Sequence, residues 1–191
     1  MPFFVGRDPL ARLLEPAYAV GGTLGAYAGE KAWGGAVMFE RSDLDWDPFL
    51  RDLRRTVSDD GLLSEYLDVT PLRRTRTVPV GGTVRETVER HVRFTQIGWR
   101  HEPRDTAVMV AVTALFALAS ILFPLYGFVV ATLVYAAAYA AVGVRRWTAL
   151  LGFPAALLQV PLFAYALARR TFVWRGRRYR WRSMYDVTVV E

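Results

Sequence analysis

"TAVMVAVTALFALASILFPLYGFVVATLVYAAAYAAVGV", residues 106–144, runs for 39 positions without a charged side chain. One crossing of a bilayer's hydrocarbon core takes about 20 helical residues. The stretch therefore divides into two helices, and "FPLYG" at 123–127 supplies the Pro and Gly of the turn between them. Arg145 and Arg146 interrupt, and "WTALLGFPAALLQVPLFAYALA" (147–168) adds 22 more uncharged residues. Pro154 and Pro161 are expected to bend a helix there, which makes this segment either a bent third crossing or a re-entrant element.

Charge is distributed unevenly around these segments. Residues 1–105 hold 15 basic and 16 acidic side chains, whereas residues 106–191 hold 9 basic and 2 acidic ones. The whole excess of the +6 net charge thus lies in the apolar half, which favours anionic headgroups or a substrate phosphate at a membrane over nucleic acid. There is no Cys, so disulfides, thiolate metal sites and Cys nucleophiles are excluded. By the positive-inside rule Arg145, Arg146 and the tail starting at Arg169 and Arg170 all belong in the cytoplasm, and they share that side only if 147–168 does not fully cross. The first thirty residues carry charges throughout and show no continuous apolar stretch of a signal peptide.

The half before the membrane reads as mixed α and β. "GGAVMFERSDL" (34–44) is expected to be a short strand followed by a helix start, with Ser42 or Asp43 as N-cap. Helical spacing recurs at Phe49, Leu50, Leu53 and Val57, and again at Leu62, Leu63, Tyr66 and Leu67 after a cap at Ser58 or Asp59. "RTRTVPV" is strand-like and stops at Gly81 and Gly82. Val84, Val88, Val92 and Trp99 then mark an amphipathic helix, expected to lie along the membrane surface.

Few residues offer chemistry. Asp59 and Asp60 sit at a helix start, where a carboxylate either caps the helix or, as Asp60, takes a proton from an attacking hydroxyl. Gln96, Trp99 and Arg100 lie within about one helical turn, so an amide, an indole and a guanidinium can approach one anionic group. His91 and His101 have no further His or Cys nearby, which argues against a metal site. "SDLDWD" (42–47) presents Asp43, Asp45 and Asp47, best read as helix capping. In the tail, "TFVWRGRRYRWR" (171–182) has five arginines and four aromatics. A turn at Gly176 would pair Phe172 and Trp174 with Tyr179 and Trp181 across a hairpin.

The order of "WGGAVMFERSDL", "VSDDGLLSEYL", "QIGWR", apolar crossings and "WRGRRYRWR" resembles the family 2-like membrane glycosyltransferases of the ceramide glucosyltransferase type. The resemblance implies a Gly-rich element at Gly34 and Gly35 before Arg41, and an acidic pair, Asp59 and Asp60, with Asp60 as base. It also implies a donor-diphosphate element at Gln96, Trp99 and Arg100, and a basic aromatic tail through Trp174, Arg175, Tyr179, Arg180 and Arg182. The Trp99-Arg100 order departs from the family's Arg-Trp. A divalent metal, Mg or Mn, is implied as cofactor, with its Asp-x-Asp ligands outside this chain, in a separate N-terminal donor-binding half.

The expected fold is thus α/β. Residues 1–82 form the C-terminal half of a GT-A-type domain, 83–105 an interfacial helix, 106–168 the transmembrane region (106–123, 126–144, 147–168) and 169–191 a cytosolic tail folded as a β-hairpin. The expected partners are a nucleotide-sugar, a lipid acceptor and the membrane, with no nucleic acid. The expected activity is sugar transfer to a lipid hydroxyl at the cytosolic leaflet by an integral membrane protein. The alternative is a non-catalytic membrane scaffold or subunit.

Overall fold

A computed structural model describes residues 1–33 and 35–190. It is a mixed helix and sheet protein with three helices long and apolar enough to cross a membrane. Strand β1 (Pro2–Gly6) pairs in parallel with β2 (Arg76–Val80), Pro2 opposite Arg76 and Gly6 opposite Val80. Between them the chain first turns into a helical run: α1 (Pro9–Leu13), α2 (Glu15–Tyr18), a π-helical stretch Ala19–Leu24 that includes Gly21 and Gly22, and α3 (Gly25–Ala28). Asp8 caps α1 by accepting from Ala11 N at 3.0 Å, with Pro9 at the first helical position where its missing N–H costs nothing.

Two short helices follow, α4 (Trp46–Leu53) and α5 (Asp59–Tyr66), packed around buried Leu44, Phe49 and Leu62. Ser58 caps α5 as its sequence implies, accepting from Gly61 N at 3.1 Å. The short strand expected at the start of 34–44 is not formed among the described residues: residues 35–40 lie outside any strand, and Gly34 lies outside the described residues. Ser42 and Asp43 do not cap a long helix either. They belong to a 3-10 turn, Arg41–Asp43, closed by reciprocal bonds between Glu40 and Asp43. With most of Ala36–Glu40 exposed, this stretch lacks the neighbouring strand that its apolar residues would need for sheet pairing.

Helix α6 (Val84–His101) begins at a Thr83/Glu86 capping box, with bonds of 3.2 and 2.9 Å. Thr87, His91, Val92, Thr95 and Gln96 form its buried stripe, directed at protein. Through this stripe α6 packs against α1, α9 and the tail, while Val84 and Trp99 stay exposed on its other faces.

Helices α7 (Pro103–Leu122) and α8 (Pro124–Ala141) meet at Phe123. Pro103 and Pro124 stand in first turns, so the two helices start earlier than residues 106 and 126. A Cβ at Gly127 would lie 2.4 Å from Ser120 Oγ, so only glycine lets the helices approach this closely. A 3-10 segment, Trp147–Leu151, leads into α9 (Gly152–Ala168). Pro154 falls within the first turn and needs no kink, contrary to expectation, while Pro161 lies in the interior.

The tail adds one strand to the expected hairpin: β3 (Thr171–Trp174), β4 (Arg177–Ser183) and β5 (Asp186–Val189) form an antiparallel sheet in that order. Arg175 (φ 50°) and Gly176 (φ 77°) make the two-residue turn, both left-handed as a type I′ hairpin requires. Phe172 faces Tyr179 as expected and stacks on it at 5.4 Å, but Trp174 faces Arg177 and meets Tyr179 only diagonally. Phe172 and Trp181 are fully buried against Val92 of α6 and Ala166 of α9, which fixes the sheet to the helices.

Candidate functional site

The amino end of α5 abuts the carboxyl end of α6. Gly61 permits the approach: a Cβ there would lie 2.8 Å from Ser58 Oγ and 3.1 Å from the His101 ring. His101 Nδ1 is 2.6 Å from Glu65 Oε1, and its ring sits 5.9 Å from Trp181. This junction brings the acidic pair to the helix that carries Gln96, Trp99 and Arg100.

The two aspartates differ in position. Asp59 is exposed and accepts from Asp60 N at 3.0 Å. Asp60 is half-buried, and its carboxylate accepts from Ser58 Oγ at 2.6 Å and Gly61 N at 3.0 Å. Its charge is felt at Arg93 on α6: burial and the neighbouring Arg90 charge pull that guanidinium below its usual pKa, and Asp60 opposes them. Arg93 lies over the Trp174 ring at 5.1 Å, which ties it to the tail.

Arg100 lies over Trp181 at 5.1 Å and donates to the carbonyls of Trp181 and Gln96; burial lowers its pKa. It opens onto a cleft of about 590 Å³ lined by Arg100, Arg170, Thr171, Arg180, Trp181 and Arg182. Among the described residues, none of these four arginines has an ion-pair partner. Four guanidiniums without a carboxylate make this surface strongly positive; both terminal nitrogens of Arg100 are already given to carbonyls, so its contribution is charge, while the fork geometry of Arg170, Arg180 and Arg182 suits phosphate oxygens.

Gln96 is turned the other way. Its amide donates to the carbonyls of Ala166 (3.2 Å) and Arg169 (2.8 Å), closing the end of α9, while its buried Oε1 has no hydrogen-bond partner among the described residues. Trp99 is 41% exposed. Gln96 and Arg100 are thus neighbours on α6 with different tasks, and the spacing that grouped them with Trp99 does not bring all three to one cleft.

Gly35 is exposed, and a Cβ there would collide with the Trp33 ring at 1.9 Å. The segment before it is drawn past α5: Ala32 N donates to Ser64 Oγ at 2.9 Å, and Ser64 Oγ donates to the Asp60 carbonyl. Arg41 is exposed and its carbonyl accepts from Trp46 Nε1. The acidic run does not form a metal cradle. Asp43 closes the 3-10 turn and Asp45 and Asp47 stand at the start of α4; among the described residues no three His, Cys, Asp or Glu side chains converge on one point.

Arg93 and Arg170 were missed by motif reading. The signal for Arg93 was its place seven residues before Arg100, two turns along the same face. Arg170 had no local signal, because it reaches the cleft only through the packing of α9 on α6. Comparison with protein-family models, curated proteins and solved structures gives no match for this chain.

Proposed function

We propose that the chain is the acceptor-side part of a membrane glycosyltransferase, which moves a sugar from a nucleotide-sugar to a lipid hydroxyl at the cytosolic leaflet. The observation that carries this reading is the docking of the Asp59–Asp60 turn on the end of α6, the helix whose Arg100 lines a cleft of four arginines without an ion-pair partner among the described residues, one residue before the first apolar helix. A lipid hydroxyl arriving from the bilayer meets a carboxylate there, and a departing diphosphate meets positive charge. The resemblance to ceramide glucosyltransferase-type enzymes supports the same assignment.

In the proposed step the lipid oxygen attacks the anomeric carbon as the bond from that carbon to the diphosphate oxygen breaks. Asp60 takes the hydroxyl proton, and the nucleoside diphosphate leaves with the bonding electron pair. Arg100, Arg180 and Arg182 stabilise the charge that develops on it. Asp60 acts as base and forms no covalent bond, so the anomeric centre inverts. The metal implied by the resemblance does not fit Asp43, Asp45 and Asp47, and no step is assigned to it in this chain; its ligands belong to the donor-binding half.

A second reading is favoured by two contacts. The Asp60 carboxylate already serves Ser58 and Gly61, and Gln96 is engaged in packing, as in a non-catalytic membrane subunit. The test is transfer itself. The chain is reconstituted in vesicles together with a GT-A donor-binding half, a radiolabelled nucleotide-sugar is added, and label is counted in the organic extract. Wild type should transfer label and Asp60→Asn should lose about 10²- to 10⁴-fold; an Asp60→Asn rate near wild type overturns the assignment.

A further inference from the structure

Both ends of the third apolar segment are held by the same body. At its start, Arg146 Nε is 2.6 Å from Glu15 Oε1 and Thr148 Oγ1 donates to the same oxygen at 2.5 Å. Just before it, Thr75 donates to the Val142 carbonyl and the Tyr139 ring packs edge-on against Phe3 at 5.1 Å. At its end, Arg169 Nη1 is 2.6 Å from Glu89 Oε1, whose second oxygen accepts from Val173 N at 3.1 Å. Glu15 and Glu89 are not on opposite sides of anything. Gly6 N donates to Glu15, and Thr87, two residues before Glu89 on α6, donates to Asp8 at 2.6 Å.

The middle of α9 gives the depth. Ala156 packs with Ala131 and Tyr135 of α8, and Phe153 reaches Phe128 at 6.1 Å. Ala131 lies ten residues before the end of α8, about 15 Å along a helix about 27 Å long. After Pro161, Phe163 is already beside His91 of α6 at 5.2 Å, and Ala166 is bonded to Gln96. The segment enters, meets α8 between Tyr135 and Phe128, the latter thirteen residues or about 20 Å before the end of α8, and returns. The far end of the α7–α8 hairpin is left bare: Ile121, Leu122, Phe123, Leu125 and Tyr126 are each 64 to 78% exposed.

We infer that residues 147–168 form a re-entrant half-span that inserts into the near leaflet alone, so that the chain crosses the bilayer twice, through α7 and α8. The partner this surface fits is the acyl layer of the leaflet on the side of the α/β unit. Exposed Leu150, Tyr165 and Leu167 of the segment meet lipid there, and the bare tip of the hairpin occupies the opposite leaflet. Arg145, Arg146, Arg169, Arg170 and the whole tail then share one face, which removes the conflict that three crossings would create with the positive-inside rule. The inference does not depend on the transferase reading.

Since the chain has no cysteine, single-Cys variants report position directly. Leu72→Cys in the α/β unit, Leu125→Cys at the hairpin tip and Ser183→Cys in the tail are all at exposed sites. Each full-length variant is labelled in sealed, oriented vesicles with a membrane-impermeant maleimide, with detergent-solubilised protein giving the full signal. Leu72→Cys and Ser183→Cys should label from one side and Leu125→Cys only from the other. Labelling of Ser183→Cys together with Leu125→Cys would establish a third crossing and overturn the inference. So would labelling of Leu125→Cys from the Leu72→Cys side, or from neither side, since α7 and α8 would then not cross.

Discussion

Glu15 is the point at which the β1 unit grips the membrane segment, and its removal gives a calculable loss. Its side chain is fully buried and accepts from Gly6 N, Arg146 Nε and Thr148 Oγ1. Replacing it with Leu leaves an amide, a hydroxyl and a guanidinium without their acceptor. Breaking one side of a buried ion pair costs about 3–5 kcal/mol. Arg146 keeps 33% side-chain exposure and regains some water, so the lower end, about 3 kcal/mol, applies. At this chain length each kcal/mol moves the unfolding midpoint by about 2–4 °C, which gives a fall of about 6–12 °C for Glu15→Leu. Arg146→Leu should cost about as much, because it strands a buried carboxylate. Since each variant removes the same pair, the double variant should recover about 1–3 kcal/mol of the sum. Thermal unfolding of the four proteins in one detergent, followed by intrinsic Trp fluorescence, measures the cycle. A Glu15→Leu midpoint within 2 °C of wild type, or strict additivity in the double variant, refutes the reasoning.

Two further predictions concern α6 and the tail. His91 is buried beside Tyr18 and Phe163, and burial, then the Arg90 charge, lowers its pKa to about 4. The folded state therefore resists a proton that the unfolded chain takes up below about 6.5, so stability is full above that pH and falls as pH drops towards 4. The loss is about 3 kcal/mol over that window; His91→Phe should flatten this slope in pH-dependent melting, and an unchanged slope contradicts it. Trp181→Ala should cost about 3–5 kcal/mol by emptying the contact with Phe172, Val92 and Ala166. Limited proteolysis should then cut within 171–190 first, and protection equal to wild type would contradict the docking.

Features written in local chemistry could be read directly. The uncharged run implied α7 and α8, the spacing of Val84, Val88, Val92 and Trp99 implied α6, Ser58 implied α5, and Gly176 implied the hairpin turn. What escaped were arrangements made by distant residues. The β1–β2 pair joins segments over seventy positions apart. The helical run after β1 passes through Gly21 and Gly22, poor helix formers that tertiary packing overrides. "AVMFE" (36–40) has a strand's composition and no partner strand. The site divides the same way. Asp59 and Asp60 were evident from their place in the first turn of α5 behind the Ser58 cap, whereas the amide of Gln96 is claimed by α9 and the arginine cleft joins Arg100 to residues 170–182, seventy or more positions further along the chain.

The central claim is that Asp60, and not its neighbour, receives the acceptor proton. The most direct measurement is lipid-extractable transfer by Asp60→Asn and Asp59→Asn side by side, at equal amounts of folded protein. Asp59 is exposed and faces solvent, so its variant should keep activity within a few-fold of wild type, while Asp60→Asn should fall about 10²- to 10⁴-fold. Equal losses in both, or a loss confined to Asp59→Asn, would contradict the account.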